Sequence, residues 1–136
     1  MSAILVALLL AVTPEPAQVV EQSVQDYVVG QYEADPARVS RVLHPDLAKR
    51  GLLGSGADAR EVFPLRRMTS DELIDITRRG ELRTAPAEQV LKIRILDLTA
   101  RTAIVRVDTP YFTDHLQLAL FGDRWLIVNA LWAPPQ

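Results

Sequence analysis

The strongest constraint in this chain is a change of period. From Val90 onward apolar side chains recur at about every second position, through "VLKIRILDL", "TAIVRVDTPYF", "DHLQLALF" and "RWLIVNALW". Alternation of that kind turns one face of an extended chain to a core and the other to solvent. Four such segments with turn residues between them predict four antiparallel strands in succession. Earlier in the chain the period is helical. "QVVEQSVQDYVVGQY" sets Val20, Val24, Tyr27 and Val28 on one face, predicting a helix that ends near Ala34. Asp35 and Pro36 then start a second helix, the first as cap and the second with its φ already set. This helix is short, because Pro45 disfavours helical backbone at His44.

Residues 47–68 predict a short strand, a glycine-rich loop and a second short strand. "TSDELIDITRRG" has Thr69 or Ser70 as N-cap, acids in its first turn, arginines in its last, and Gly80 just past its end. Those charges complement a helix dipole at both ends, so a third helix is predicted here. Three helices and a meander of strands make an α+β domain, with the helices on one face of a curved, mainly antiparallel sheet.

A length of 136 residues fits one domain with a real core. It divides into an apolar N-terminal segment, 1–17, and a domain, 18–136. The run Ala3 to Val12 is uninterrupted by polar residues and is set apart by Pro14 and Pro16. Ten residues suit a signal-peptide core and fall short of the roughly 20 that a membrane-spanning helix needs. A secreted or periplasmic location is therefore favoured over a cytoplasmic one, and no stable membrane span is expected in the mature domain. The alternative is a helical turn or strand packed on the domain. The net charge of -2 gives no general attraction to nucleic acid or anionic lipid. Without cysteine there is no disulfide, thiolate nucleophile or cysteine metal site. Two histidines without a spaced ligand cluster predict no metal, and no cofactor is expected.

Three passages carry a resemblance: "VQDYVVGQYEADPARVSRVLHPDLAKRG" (24–51), "LRRMTSDELIDITRRG" (65–80) and "DHLQLALFGDRWLIVNALW" (114–132). They are similar to the nuclear transport factor 2-like fold and, within it, to small bacterial proteins labelled putative lumazine-binding. The resemblance implies a cone, in which a strongly bent sheet curls around an apolar cavity closed by the first two helices. It also implies a homodimer through the outer sheet face. It does not imply one activity, since this fold hosts isomerases, cyclases, dehydratases, transport factors and non-catalytic binders. "VQDYVVG" resembles the first helix of ketosteroid isomerases, with Tyr27 in the place of their oxyanion donor. Their aspartate base would fall among Lys49, Arg50, Gly51 and Leu52. A cation or glycine there argues against that activity.

In the last passage a two-residue turn at Gly122-Asp123 pairs Phe121 with Arg124, Leu118 with Ile127 and Leu116 with Asn129. This register puts Asp114, Leu116, Leu118, Leu120, Trp125, Ile127, Asn129 and Leu131 on the inner face. Asp114 and Asn129 become diagonal neighbours in an apolar setting, where a carboxylate needs a partner. Either the two grip the polar edge of a ligand, or Asp114 bonds a neighbour such as the Tyr27 hydroxyl. His44 either faces the cavity mouth, with Asp46 or Asp114 as orienting partner, or bonds the last carbonyls of its helix. Met68, Tyr111 and Trp125 are expected as cavity wall, with core packing as the alternative. The leading functional reading is a domain that binds a small, partly apolar ligand without catalysis. Its rival is an isomerase or cyclase with His44 or Asp114 as base and Tyr27 as acid.

Overall fold

The computed structural model describes residues 13–53 and 62–135. The apolar run 3–12 and most of the glycine-rich loop lie outside the described residues. The elements are α1 (Pro16–Tyr32), α2 (Pro36–Ser40), β1 (Leu43–Gly51), β2 (Arg66–Met68), α3 (Ser70–Arg78), β3 (Lys92–Leu98), β4 (Thr102–Asp108), β5 (Thr113–Phe121) and β6 (Arg124–Ala133). The α+β class and the four late strands stand as expected. Helix α1 starts at Pro16.

The helix starts follow local chemistry. Asp35 accepts from the Arg38 amide and Pro36 opens α2. Thr69 and Glu72 form a reciprocal capping box on α3, and Gly80 follows its end at φ +72°. Gly30 lets α2 lie close on α1, since a Cβ there would meet Val39 Cγ2 at 2.7 Å. The stripe of Val20, Val24, Tyr27 and Val28 is fully buried against the sheet. Each of those side chains contributes on the order of 1.5–3 kcal/mol by leaving water.

The six strands form one sheet in the order β2-β1-β6-β5-β4-β3. Neighbours pair antiparallel except β1 and β6, which run parallel. The two short strands expected within 47–68 are present as β1 and β2, between α2 and α3, so the three helices do not all precede the sheet. One expectation is corrected. The sheet is a single open one rather than strongly curled, so its helix-facing side is better called an inner face than a cone. The core lies between that face and the helices, with Leu47, Leu73, Val105, Val107, Leu116, Leu118, Trp125 and Ile127 all buried.

The β5–β6 hairpin departs from the expected register at one point. Phe121 pairs with Arg124 and Leu118 with Ile127, but Gln117 and not Leu116 pairs with Asn129. Val128 is an extra residue, a β-bulge that reverses the facing of everything after it. Asn129 and Leu131 therefore point outward, and Ala130 and Trp132 inward.

Candidate functional site

Three elements meet on the inner face. Helix α1 delivers Tyr27, which its heptad-like stripe turns to the sheet. Strand β1 alternates Leu47, Lys49 and Gly51 inward, and β5 alternates Asp114, Leu116 and Leu118. Strand β6 lies between β1 and β5, and its Trp132 pairs with Gly51 on one side and Asp114 on the other. The indole lies over Gly51, where a Cβ would come within 2.3 Å of the ring. Only a residue without a side chain leaves that space.

Tyr27, Lys49 and Asp114 form one buried polar cluster. The Tyr27 hydroxyl donates to Asp114 Oδ2 at 2.9 Å. Lys49 Nζ donates to the Tyr27 hydroxyl oxygen at 2.5 Å and to Asp114 Oδ2 at 3.3 Å. The ammonium also sits 5.3 Å from the centre of the Tyr27 ring and 5.7 Å from that of Trp132. Tyr27 and Asp114 are 0% exposed and Lys49 7%. Asp114 Oδ1 has no hydrogen-bond partner among the described residues.

Burial governs the protonation of the cluster. It lowers the Lys49 amine below the ordinary lysine range, against the opposing pull of Asp114. It raises the Tyr27 hydroxyl well above its ordinary 10.0, reinforced by the charge of Asp114 and by the hydrogen bond to it. The folded chain thus keeps a Tyr27 proton that the unfolded chain sheds. The stability this contributes is full below pH 10.0 and is lost as pH rises through the folded pKa. In urea melts at roughly pH 9 to 11, the stability gap between wild type and Tyr27→Phe should shrink as pH rises past the ordinary tyrosine value. A gap that widens would contradict the raised hydroxyl.

The residues expected at the site divide. Tyr27 and Asp114 come together as the hydroxyl–carboxylate pair that was one of the two readings of Asp114. Met68 is half-buried, opposite Lys49 in the β1–β2 pairing and packed on the core. Trp125 is buried in the core. Asn129 is displaced by the bulge. It is exposed on the outer face, where it donates to Gln117 Oε1 at 2.9 Å.

His44 lies in β1 and not at a helix end, because the chain turns extended at Leu43, before Pro45. Its Nδ1 accepts from the Asp46 amide at 3.0 Å, and its ring packs 4.9 Å from that of Phe121. Leu43 pairs with Ile127 and Asp114 with Trp132, five residues further along β6, which separates His44 from Asp114 by on the order of 16 Å. No His44–Asp114 dyad forms. Tyr111 is 51% exposed, and its hydroxyl reaches Glu88 at 3.4 Å. It lines a surface cleft of about 350 Å³ with Tyr32, Leu82 and Phe112.

Lys49 is the residue that sequence reasoning passed over. It was weighed only as a failed replacement for a carboxylate base. The signal that marks it is compositional. Among fifteen basic side chains the chain has two lysines, Lys49 and Lys92, and Lys49 falls in the inward phase of its strand. A cleft of about 480 Å³ opens beside Trp132, walled by Leu52 and Pro134 and, from the outer face of the sheet, by Arg106, Asp108, His115 and Leu131. Among the described residues no cluster of three or more potential metal ligands occurs, and no helix is long and apolar enough to cross a membrane.

The family model described as "Putative lumazine-binding" matches residues 15–133. A nuclear transport factor 2-like protein of unknown function from Silicibacter pomeroyi has a similar structure, with 18% identity, TM-score 0.66, and 88% of this chain and 95% of that one covered. One from Methylobacillus flagellatus gives 19% identity, TM-score 0.65, and coverage of 92% and 96%. A ketosteroid isomerase-like protein from Erwinia carotovora atroseptica gives 14% identity, TM-score 0.61, and coverage of 91% and 99%. At these identities the structures share the fold alone. No similar sequence was found among curated proteins.

Proposed function

The chain belongs to the putative lumazine-binding family of the nuclear transport factor 2-like superfamily, and we propose that it binds a small, partly apolar molecule at the Trp132 end of the inner face. One observation carries this reading: a fully buried carboxylate with one oxygen bonded twice and the other, among the described residues, bonded to nothing. A buried ion pair seldom returns the cost of its own desolvation, and an apolar trio of the same shape is often as stable. An unpaired buried acceptor costs a further 1–3 kcal/mol or so. A ligand N–H or O–H meeting Asp114 Oδ1 would recover that energy. The chemistry favoured is a compact ring with a donor on its polar edge and an apolar body to lie against Trp132. The family description makes a lumazine- or pterin-type ring the first compound to try.

The outer sheet face supports a second part of the reading, a homodimer. Ile104 and Leu131 are exposed there, bordering a shallow groove of about 430 Å³. Titration calorimetry with lumazine, pterin and small aromatic lactams tests the ligand. Binding is expected for wild type and a loss of at least about tenfold for Asp114→Asn, whose amide no longer offers the charged acceptor. Silence across the series, or equal binding by the variant, sinks the reading. Sedimentation equilibrium of the same protein reads the dimer, and a monomer at all concentrations ends that part.

A further inference from the structure

We propose that Lys49 is an amine nucleophile that captures a small aldehyde or ketone as an imine, with Tyr27 and Asp114 as its proton relay and Trp132 as its cover. The proposal rests on the reading that a small molecule reaches the inner face, and it names the reactive class that the face would take. The residue type is the first argument. Thirteen of the fifteen basic residues are arginine, which does not give up its proton. The one basic side chain buried in the polar cluster is a lysine, which does. An ion pair needed only to join β1 to α1 and β5 would be served by arginine, with more donors.

Geometry supplies the relay. The hydrogen bonds run in one direction, from the Lys49 ammonium to the Tyr27 oxygen and from the Tyr27 hydroxyl to Asp114 Oδ2. If Tyr27 passes its proton to Asp114 while taking one from Lys49, an ammonium–carboxylate pair becomes an amine and a carboxylic acid. No net charge moves, and the burial that disfavours the charged amine assists the step. The Nζ lone pair then adds to the carbonyl carbon, and the carbon–oxygen π pair goes to oxygen. That oxygen takes up the nitrogen's proton, giving a carbinolamine. Asp114 returns its proton to the carbinolamine hydroxyl, which departs as water. A protonated imine remains, facing the Asp114 carboxylate. Ammonium and carbonyl have become iminium and water, and no oxidant or reductant is consumed.

Access is the third argument. The Trp132 indole lies 5.7 Å from Lys49 Nζ and also walls the 480 Å³ cleft. The indole is half-buried, rests on Gly51 and separates the amine from that cleft, so the ring must move before a carbonyl compound can reach Lys49. Leu52 and Pro134 give that cleft apolar surface, and Arg106, Asp108 and His115 give it a polar side, so it suits a carbonyl compound with an apolar body and a polar edge.

Lys92, exposed on β3, is an internal control. The intact chain is incubated at neutral pH with benzaldehyde and sodium cyanoborohydride, which fixes an imine as a benzylamine. Peptide mapping should place the label on Lys49 at least about tenfold over Lys92, and unfolding in urea should bring the ratio near one. Lys49→Arg, which keeps the charge, should lose that label alone. The ratio within wild type keeps the test decisive even if the variant does not fold. Benzyl alcohol, the same ring without a carbonyl, is titrated in parallel by tryptophan fluorescence. If the alcohol binds but the label favours Lys92, or favours Lys49 equally in urea, the imine is overturned and the ligand reading stands. If neither compound binds and Lys49 stays unlabelled, both fall.

Discussion

Asp114→Ala should cost about 3–5 kcal/mol of folding stability, because it leaves the Lys49 ammonium buried without a counter-charge. The carboxylate it removes is 0% exposed and holds both the Tyr27 hydroxyl and the Lys49 amine. Truncation therefore strands two donors at once and opens a small cavity beneath Trp132. The double variant Asp114→Leu with Lys49→Met should recover most of the loss, since an apolar pair of similar volume removes the desolvation cost along with the attraction. Urea denaturation of the wild type, Asp114→Leu, Lys49→Met and the double variant gives the cycle. A double variant as unstable as Asp114→Ala would show that packing around Asp114, and not its charge, sustains the site. Recovery of stability together with loss of ligand binding would separate what the cluster does for the fold from what it does for function.

Gly51→Ala is the second large effect. A methyl there would lie 2.3 Å from Cε2 and 2.4 Å from Cζ2 of Trp132, well inside contact distance. The Gly51 backbone cannot yield, because it sits in β1, paired with β2 and β6. The indole must swing away, at a cost of about 1–3 kcal/mol for overpacking and lost burial. In a Trp125→Phe background, which leaves Trp132 as the single tryptophan, emission should shift to the red as the ring meets water. Unchanged emission and stability would mean that the indole is not seated on Gly51. The same substitution uncovers Lys49, so it should raise the exposure of the amine while lowering the stability of the domain.

Much of this architecture was legible because its causes are local. The caps at Asp35 and Thr69, the end at Gly80, and the alternation of β3 to β6 each depend on residues a few positions apart. Tyr27 and Asp114 could be picked out for the same reason, since each is a polar group in the inward phase of an apolar pattern. Asn129 shows the limit of that reasoning. Its phase within β6 counts correctly from Trp125 until Val128 is inserted, and one extra residue moves it from the core to the outer face. His44 shows another limit. Pro45 ended a helix in the sequence reading, whereas the chain had already turned extended and carries that proline within β1. Lys49 was legible as a residue type but not as a partner, because its neighbours are 22 and 65 positions away.

The sequence by itself determined which segments are helical or extended, apart from the early start of β1, where the helices start, and which side of each segment faces the core as far as the bulge at Val128. Those choices follow from backbone preference, capping and burial within a few residues of chain. Only the tertiary structure decided that β1 lies parallel to β6, that a bulge at Val128 turns Trp132 inward, and that Gly51 leaves room for its indole. Those are matters of register and steric fit between distant segments. The union of Tyr27, Lys49 and Asp114 is of the same kind, since three groups unremarkable in their own segments acquire shared protons only when the sheet order brings them within hydrogen-bond reach.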